Sequence, residues 1–147
     1  MKAIIDSIGQ VGSRVRLGDH EVTFDQPATV PGGLDRGPSP LDLMVAAVGA
    51  CAHYYAAAFL HGRNLSVAGL TVEVDSDKER VPSPRVGHVA IHVHLPAGLS
   101  ERHVAGIERA VKSCPAYGTL LNPPVVTLTV AADATAAPAG ADEKLSA

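Results

Sequence analysis

Aromatic residues are almost absent from this chain. Its 147 residues include no tryptophan, two phenylalanines and three tyrosines, although 46% of the residues are hydrophobic. The core is therefore built from valine, alanine, leucine and isoleucine. A chain of this length forms one domain and buries roughly two thirds of the surface that it exposes when unfolded. We place that domain over residues 1–130 and predict a disordered, alanine-rich tail over residues 131–147.

Positive charge is also sparse, and it is not clustered. Twelve lysines and arginines stand against fifteen acidic residues, which gives a net charge of −3, and no block of basic residues occurs. Phosphate contacts need clustered cations, so we exclude nucleic acid as a partner. The first ten residues lack the basic region, apolar block and cleavage site of an export signal, and we therefore expect a cytoplasmic protein.

Cysteine is the third scarce residue, with only Cys51 and Cys114. In a reducing compartment, two cysteines indicate redox chemistry or metal binding more often than a structural disulfide. The plain alternative is that both are core residues that act as small hydrophobes. A reactive thiol needs a nearby cation, which the sequence around Cys51 does not supply. The candidate distant cations are Arg14, Arg16, Arg36, His53 and His88.

A long run without a charged residue, residues 43–60, contains Cys51 near its middle. Ser39 and Pro40 precede the run as a typical helix cap and first position, with Asp42 three residues after the cap. This pattern predicts a helix that is apolar on all sides and therefore buried. The polar cap and the many small residues favour a protein core over a membrane span. One chain this small cannot cover every side of such a helix, so we expect a homodimer.

Strands and helices alternate along the rest of the chain. A charged, proline-containing loop is expected over residues 77–84, and an irregular segment is expected after Cys114 because Pro115 interrupts an α-helix. Antiparallel strands interspersed with helices predict an α+β fold. The predicted elements are a meander over 1–24, strands over 70–75, 86–95 and 125–130, and helices over 39–61 and 101–113.

Three histidines lie on one face of the predicted strand 86–95, namely His88, His92 and His94. Neutral imidazole is a good zinc ligand, but the sequence has neither a CxxC nor an HExxH motif. We interpret these histidines as a solvated polar face and predict no metal site.

Two motifs resemble the OsmC/Ohr family. They are GGLDRGPSPLDLMVAAVGAC, which ends at Cys51, and SCPAYGTL, which contains Cys114. The segments DQP and GRNLSVAGLTVEVD are also similar, so the resemblance spans residues 3–130. It implies an OsmC-like fold, in which antiparallel sheets wrap around long buried central helices in an intertwined homodimer. Leu41 stands where the Ohr branch has a glutamate, and the acid at Asp42 is typical of the general OsmC-like branch.

The family resemblance also implies a chemistry. Cys51 matches the peroxidatic cysteine, which reduces an organic hydroperoxide and becomes a sulfenic acid, and Cys114 matches the resolving cysteine. A small dithiol such as dihydrolipoamide would then reduce the disulfide, and no cofactor is implied. The candidates for an activating arginine are Arg36, Arg14 and Arg16.

A non-catalytic protein is the alternative. In that hypothesis the OsmC-like dimer binds a small hydrophobic or thiol ligand at its interface, in a pocket lined by Tyr54, Tyr55 and Phe59. The Cys51 thiol would then have an ordinary pKa. A further alternative gives both cysteines a purely structural place in the core.

Overall fold

The computed structural model describes residues 2–131, so the predicted tail lies outside the described residues except for Ala131. The chain forms a mixed α+β fold with antiparallel sheets, as predicted. Three strands form the N-terminal sheet, two strands form a long hairpin, and three helices complete the described part. The elements are β1 (Ile4–Ser7), β2 (Ser13–Leu17), β3 (His20–Phe24), α1 (Pro40–His61), β4 (Thr71–Glu79), β5 (Arg85–His94), α2 (Glu101–Lys112) and α3 (Pro115–Leu121).

The N-terminal sheet confirms the predicted meander. Its strands pair in the order β1-β2-β3, and Val15 lies between Ile5 on one side and Val22 on the other. Ile4 and Ile5 remain 43% and 59% exposed. Among the described residues, this sheet makes at most marginal contact with the helices and with the β4–β5 hairpin. Its apolar side chains therefore lack a core within their own chain.

A buried ion pair holds the loop that joins this sheet to α1. Arg36 donates from Nε to Oδ2 of Asp25 at 2.7 Å, and the Asp25 side chain is fully buried. The same guanidinium donates from Nη1 to the Ile8 carbonyl at 3.0 Å and from Nη2 to the Gly9 carbonyl at 2.9 Å. One arginine thus ties the loop over residues 25–38 to the turn between β1 and β2.

The central helix α1 begins and ends where its sequence predicts. Ser39 Oγ accepts from the Asp42 amide at 3.2 Å and donates to Asp42 Oδ2 at 2.6 Å, while Pro40 occupies the first position. Gly62 is the C-cap residue. The expectation of burial on all sides is not met within one chain, because Tyr54 is 65% exposed and Ala47 and Ala50 also face outwards. Six residues face the interior, namely Val45, Val48, Gly49, Ala52, Ala56 and Leu60.

The β4–β5 hairpin and α2 cover the buried face of α1. The side chains of Leu70, Ile107 and Val111 pack with α1 into the main hydrophobic cluster. Ser100 caps α2 and accepts a hydrogen bond from the His103 amide at 3.4 Å. β4 continues to Glu79, past its predicted end, because residues 76–79 pair with the start of β5. Val104 of α2 is 44% exposed.

Two predictions for the C-terminal part are wrong. The segment after Cys114 is the helix α3, not an irregular stretch, because Pro115 occupies its first position, where no N–H is needed. The predicted strand over residues 125–130 has no partner strand in the described part of the chain. Its side chains are correspondingly open to solvent, with Val125 96% and Val130 86% exposed.

Candidate functional site

The two cysteines, 63 residues apart in sequence (114 − 51), are neighbours in the fold, and we call them the thiol pair. Cys51 lies in the middle of α1 and is partly exposed. Cys114 is 1% exposed and is the N-cap residue of α3, directly after the end of α2. Both are free thiols. Because α1 packs against both α2 and α3, the junction between these two helices brings Cys114 to Cys51.

The surroundings of the thiol pair favour the neutral form of Cys51. Hydrogen bonding to the Cys114 thiol is the largest cause that raises the pKa of Cys51 above its ordinary value. The backbone N–H of Ala116 acts in the opposite direction, and burial adds to the increase. Cys51 is therefore protonated at neutral pH in the described chain.

Each candidate activating arginine is paired with a carboxylate in the N-terminal part of the chain. Arg36 binds Asp25, as described above. Arg16 Nη2 lies 2.8 Å from Asp6 Oδ2, and Arg14 Nε lies 3.9 Å from Glu21 Oε2. None of the three is among the groups that shift the pKa of Cys51 in the described part of the chain. Their activating role stays a prediction.

An open apolar groove of about 470 Å³ runs between α1, β5 and α3. Val48 precedes Cys51 by three residues on α1, and Tyr117 follows Cys114 by three residues on α3, so each cysteine is about one helical turn from a lining residue of the groove. Sequence reasoning missed this groove, because its α3 wall was predicted to be irregular. Its main apolar lining residues are Met44, Val48, Val89, Tyr117, Leu120 and Leu121.

The predicted pocket residues lie elsewhere. Tyr54 and Tyr55 form an edge-to-face pair with ring centroids 5.4 Å apart. Phe59 packs on Gly106 of α2, and the Arg63 guanidinium lies 3.6 Å above its ring. Because Tyr54 is on the exposed side of α1, a pocket that includes it requires a second molecule to cover this side. That pocket stays a prediction.

The three histidines of β5 form an exposed row opposite the acidic residues of β4. The closest approaches join His94 to Glu73 at 3.4 Å, His92 to Asp75 at 3.6 Å, and His88 to Asp77 at 3.9 Å. Within residues 2–131, no group of three or more histidine, cysteine, aspartate or glutamate side chains could hold a metal ion.

Asp42 has a second partner that the sequence did not reveal. Besides its contacts with Ser39, its Oδ1 lies 2.6 Å from Lys78 Nζ at the end of β4. Hydrogen bonds from Lys78 and Ser39 lower the pKa of Asp42. The carboxylate thus joins the first turn of α1 to the hairpin, in addition to capping the helix.

The family model of the OsmC-like proteins matches residues 32–129, which include both cysteines and all three helices. The chain belongs to the OsmC-like family. This finding confirms the resemblance predicted from the two cysteine motifs, and a place in the general OsmC-like branch is consistent with it. No curated protein matches the sequence.

Solved structures of this family share the fold at low sequence identity. An OsmC-like protein from Mycoplasma pneumoniae is 19% identical over 83% of this chain and 86% of its own, with a TM-score of 0.65. An organic hydroperoxide resistance protein from Elizabethkingia anophelis is 21% identical over 82% of this chain and 87% of its own, with a TM-score of 0.61. At this level of identity, the likeness shows the shared fold.

Proposed function

We propose that this OsmC-like protein is a cytoplasmic thiol-dependent peroxidase that reduces organic hydroperoxides in defence against oxidative stress. The observation that carries the proposal is the thiol pair, because two helices and their junction bring its members together. A peroxidatic and a resolving cysteine need this proximity, since a sulfenic acid on one must condense with the thiol of the other.

The proposed reaction balances in three steps. The Cys51 sulfur attacks the peroxide oxygen, the O–O bond breaks, and the products are a Cys51 sulfenic acid and an alcohol. The Cys114 thiol then displaces water from the sulfenic acid and forms a disulfide. A small dithiol such as dihydrolipoamide exchanges with that disulfide, restores both thiols and leaves as its own cyclic disulfide.

Ionisation of Cys51 requires a cation, and we assign its source to a second copy of the chain. The N-terminal sheet carries Arg14 and Arg16 and makes at most marginal contact with the helices of its own chain, and Arg36 is hydrogen-bonded to a turn of this sheet. A homodimer in which this sheet packs near the α1 helix of the other copy would bring a guanidinium towards Cys51. Such a contact would lower the pKa of Cys51 and increase the reactive thiolate fraction.

Peroxidase assays of single-cysteine variants test the proposal. Wild-type protein should reduce cumene hydroperoxide and tert-butyl hydroperoxide with dihydrolipoamide, and Cys51→Ser should reduce neither. Cys114→Ser should consume one equivalent of peroxide and retain a sulfenic acid that dimedone labels. Equal turnover by wild type and Cys51→Ser would refute the peroxidase.

The second candidate function is a non-catalytic dimer that binds a small hydrophobic or thiol ligand. The raised pKa of Cys51 and the presence of an open apolar groove between α1, β5 and α3 favour this function. It predicts that cumene hydroperoxide is not consumed, while an apolar thiol binds to the reduced protein with measurable heat in calorimetry.

A further inference from the structure

We propose that residues 125–130 of one copy of the chain add as a β-strand to the free edge of β5 in a second copy. This contact deepens the proposed homodimer, on which it rests, and involves no peroxide chemistry. Three features of the described residues support it. They are an unpaired segment with the sequence pattern of a strand, an unpaired strand edge, and an apolar gap beside that edge.

The segment over residues 125–130 has the composition of a buried strand but lies in solvent. Val126, Leu128 and Val130 are 84–86% exposed and fall on one side of an extended chain. No residue of the segment is charged, and an uncharged strand rich in β-branched residues, with open N–H and C=O groups, pairs readily with another chain. The segment therefore needs a partner strand, and the described part of its own chain supplies none.

The partner edge belongs to β5 and adjoins an opening that we call the β5–α2 gap. β4 and β5 form a two-stranded sheet, so one edge of β5 is unpaired within residues 2–131. Helix α2 packs against α1 but makes at most marginal contact with β5, which leaves a gap of about 420 Å³ between them. A strand added to this edge would place its inward side chains in the gap. The main apolar lining residues are Val89, Ile91 and Val93 of β5 and Val104, Ile107 and Val111 of α2.

The segment and the β5–α2 gap match in length and in polarity. A six-residue strand spans about 20 Å, which is close to the length of residues 89–95. The side of the segment that carries Leu128 is apolar, and Val104 on the opposing wall is 44% exposed and would be covered by it. The other free edges fit less well. β1 has only four residues, and the groove beside β4 contains the charged Asp42 and the polar His53.

The occupant of the gap is a second copy of the chain, because the segment stays open to solvent in its own chain. Pro123 and Pro124 separate it from α3, and neither can donate a backbone hydrogen bond, so pairing starts at Val125. In a two-fold symmetric dimer each copy gives one segment and receives one. Both segments and both gaps are then covered at once, and such an exchange of identical elements is a low-cost route to a dimer.

Charge variants on the two surfaces of the full-length protein test the exchange. Val104→Asp and Leu128→Lys should each weaken the dimer about tenfold or more, because each puts a charge into the apolar gap. An equimolar mixture should form a mixed dimer about tenfold tighter than either variant alone, since one of its two contacts is native and the other joins opposite charges. Thr127→Lys, on the other side of the strand, is the matched control and should dimerise like wild type. Native mass spectrometry of differently tagged copies measures each dimer, and circular dichroism verifies folding.

Amide hydrogen exchange gives an independent readout. In the wild-type dimer, alternate amides of residues 125–130 should exchange slowly, and either dilution to the monomer or Val104→Asp should remove this protection. A mixture no tighter than its parent variants, or protection that persists in the monomer because the segment pairs within one chain, would overturn the proposal. A dimer in which residues 125–130 exchange as fast as an open chain would also overturn it and would leave the homodimer itself intact. No readout depends on peroxide, so failure of the peroxidase proposal would be seen separately.

Discussion

At the scale of single residues, Asp25 is the most constrained charge in the described chain. Its carboxylate is fully buried and accepts hydrogen bonds from the Arg36 side chain and from the amides of Gln26 and Arg36. Hydrogen bonding from the Arg36 side chain is the main cause that lowers the pKa of Asp25 to about 2. The folded state therefore prefers this carboxylate ionised.

The low pKa of Asp25 has a consequence for acid stability. An aspartate with an ordinary pKa of about 3.9 in the unfolded chain stabilises the fold fully above that pH and loses this contribution as the pH falls towards 2. Asp25→Asn should lower the urea midpoint of unfolding at pH 7. It should also flatten the decline of the midpoint between pH 4 and pH 2. Parallel declines in the two proteins would contradict the assignment.

Cys51 gives a second prediction at this scale. Replacing its neighbour in Cys114→Ala removes the largest cause of the raised pKa and leaves the Ala116 N–H in place. The apparent pKa of Cys51, measured from the pH dependence of iodoacetamide labelling, should therefore fall relative to wild type. An unchanged pKa of Cys51 in Cys114→Ala would mean that the thiols do not interact.

The sequence was informative about which residues matter and less so about their partners. Both cysteines and the three arginines could be named in advance, because thiols and guanidinium groups are few. The pairing of Arg36 with Asp25 could not be predicted from the sequence, because it depends on how the intervening loop folds back onto the turn after β1. The approach of Cys114 to Cys51 also depends on tertiary packing. The sequence indicated it only through the family resemblance.

At the scale of elements, Gly49 fixes how closely α1 approaches the β4–β5 hairpin. A Cβ atom at Gly49 would overlap the Val74 side chain of β4, and a β-branched valine has little freedom to move aside. The glycine is thus needed for close packing, although glycine disfavours a helix by about 1 kcal/mol relative to alanine.

Two glycine-to-alanine substitutions separate packing from helix propensity. Gly49→Ala should destabilise the protein by about 1–3 kcal/mol, as overpacking in a core usually does. Gly118→Ala in α3 meets no atom within 4 Å and should be neutral or stabilising by up to ~1 kcal/mol. Urea unfolding at one protein concentration compares them. A stabilised Gly49→Ala variant would show that the helix and the hairpin are not in close contact.

Helix boundaries were predictable where local chemistry determines them. Ser39, Pro40 and Gly62 mark the ends of α1 in the sequence and in the structure. Pro115 was misread because proline ends one helix and can also begin the next, and the residues around it do not show which applies. Residues 125–130 have the sequence pattern of a β-strand. A strand must pair with a neighbouring strand, and the described part of the chain has none beside this segment.

At the scale of the whole molecule, three of the apolar surfaces within residues 2–131 are open to solvent and not covered by the chain itself. They are the outer side of α1 around Tyr54, the isoleucines of β1, and the extended segment over residues 125–130. Open apolar surfaces of this extent typically mark an interface with another protein. The simplest partner is a second copy of the chain, in agreement with the proposed homodimer.

Light scattering with size-exclusion chromatography tests the homodimer. The wild-type protein should elute as a dimer, and Leu128→Lys, on the side of the segment shared by Val126 and Val130, should weaken the dimer at least tenfold. Thr127→Lys places the same charge on the opposite side of the segment and should leave the dimer intact. A monomeric wild type at micromolar concentration, or equal effects of the two variants, would refute this arrangement.

The position of Cys114 also has a consequence for how easily proteases can cut the chain around α3. Helix α3 has no buried residue of its own, and its first residue follows directly after that cysteine. A disulfide between Cys114 and Cys51 would hold the N-terminal end of α3 against α1. Trypsin and chymotrypsin should then cut the chain after Lys112 and Tyr117 more slowly, so the chemical state of two sulfurs would be visible as a digestion pattern.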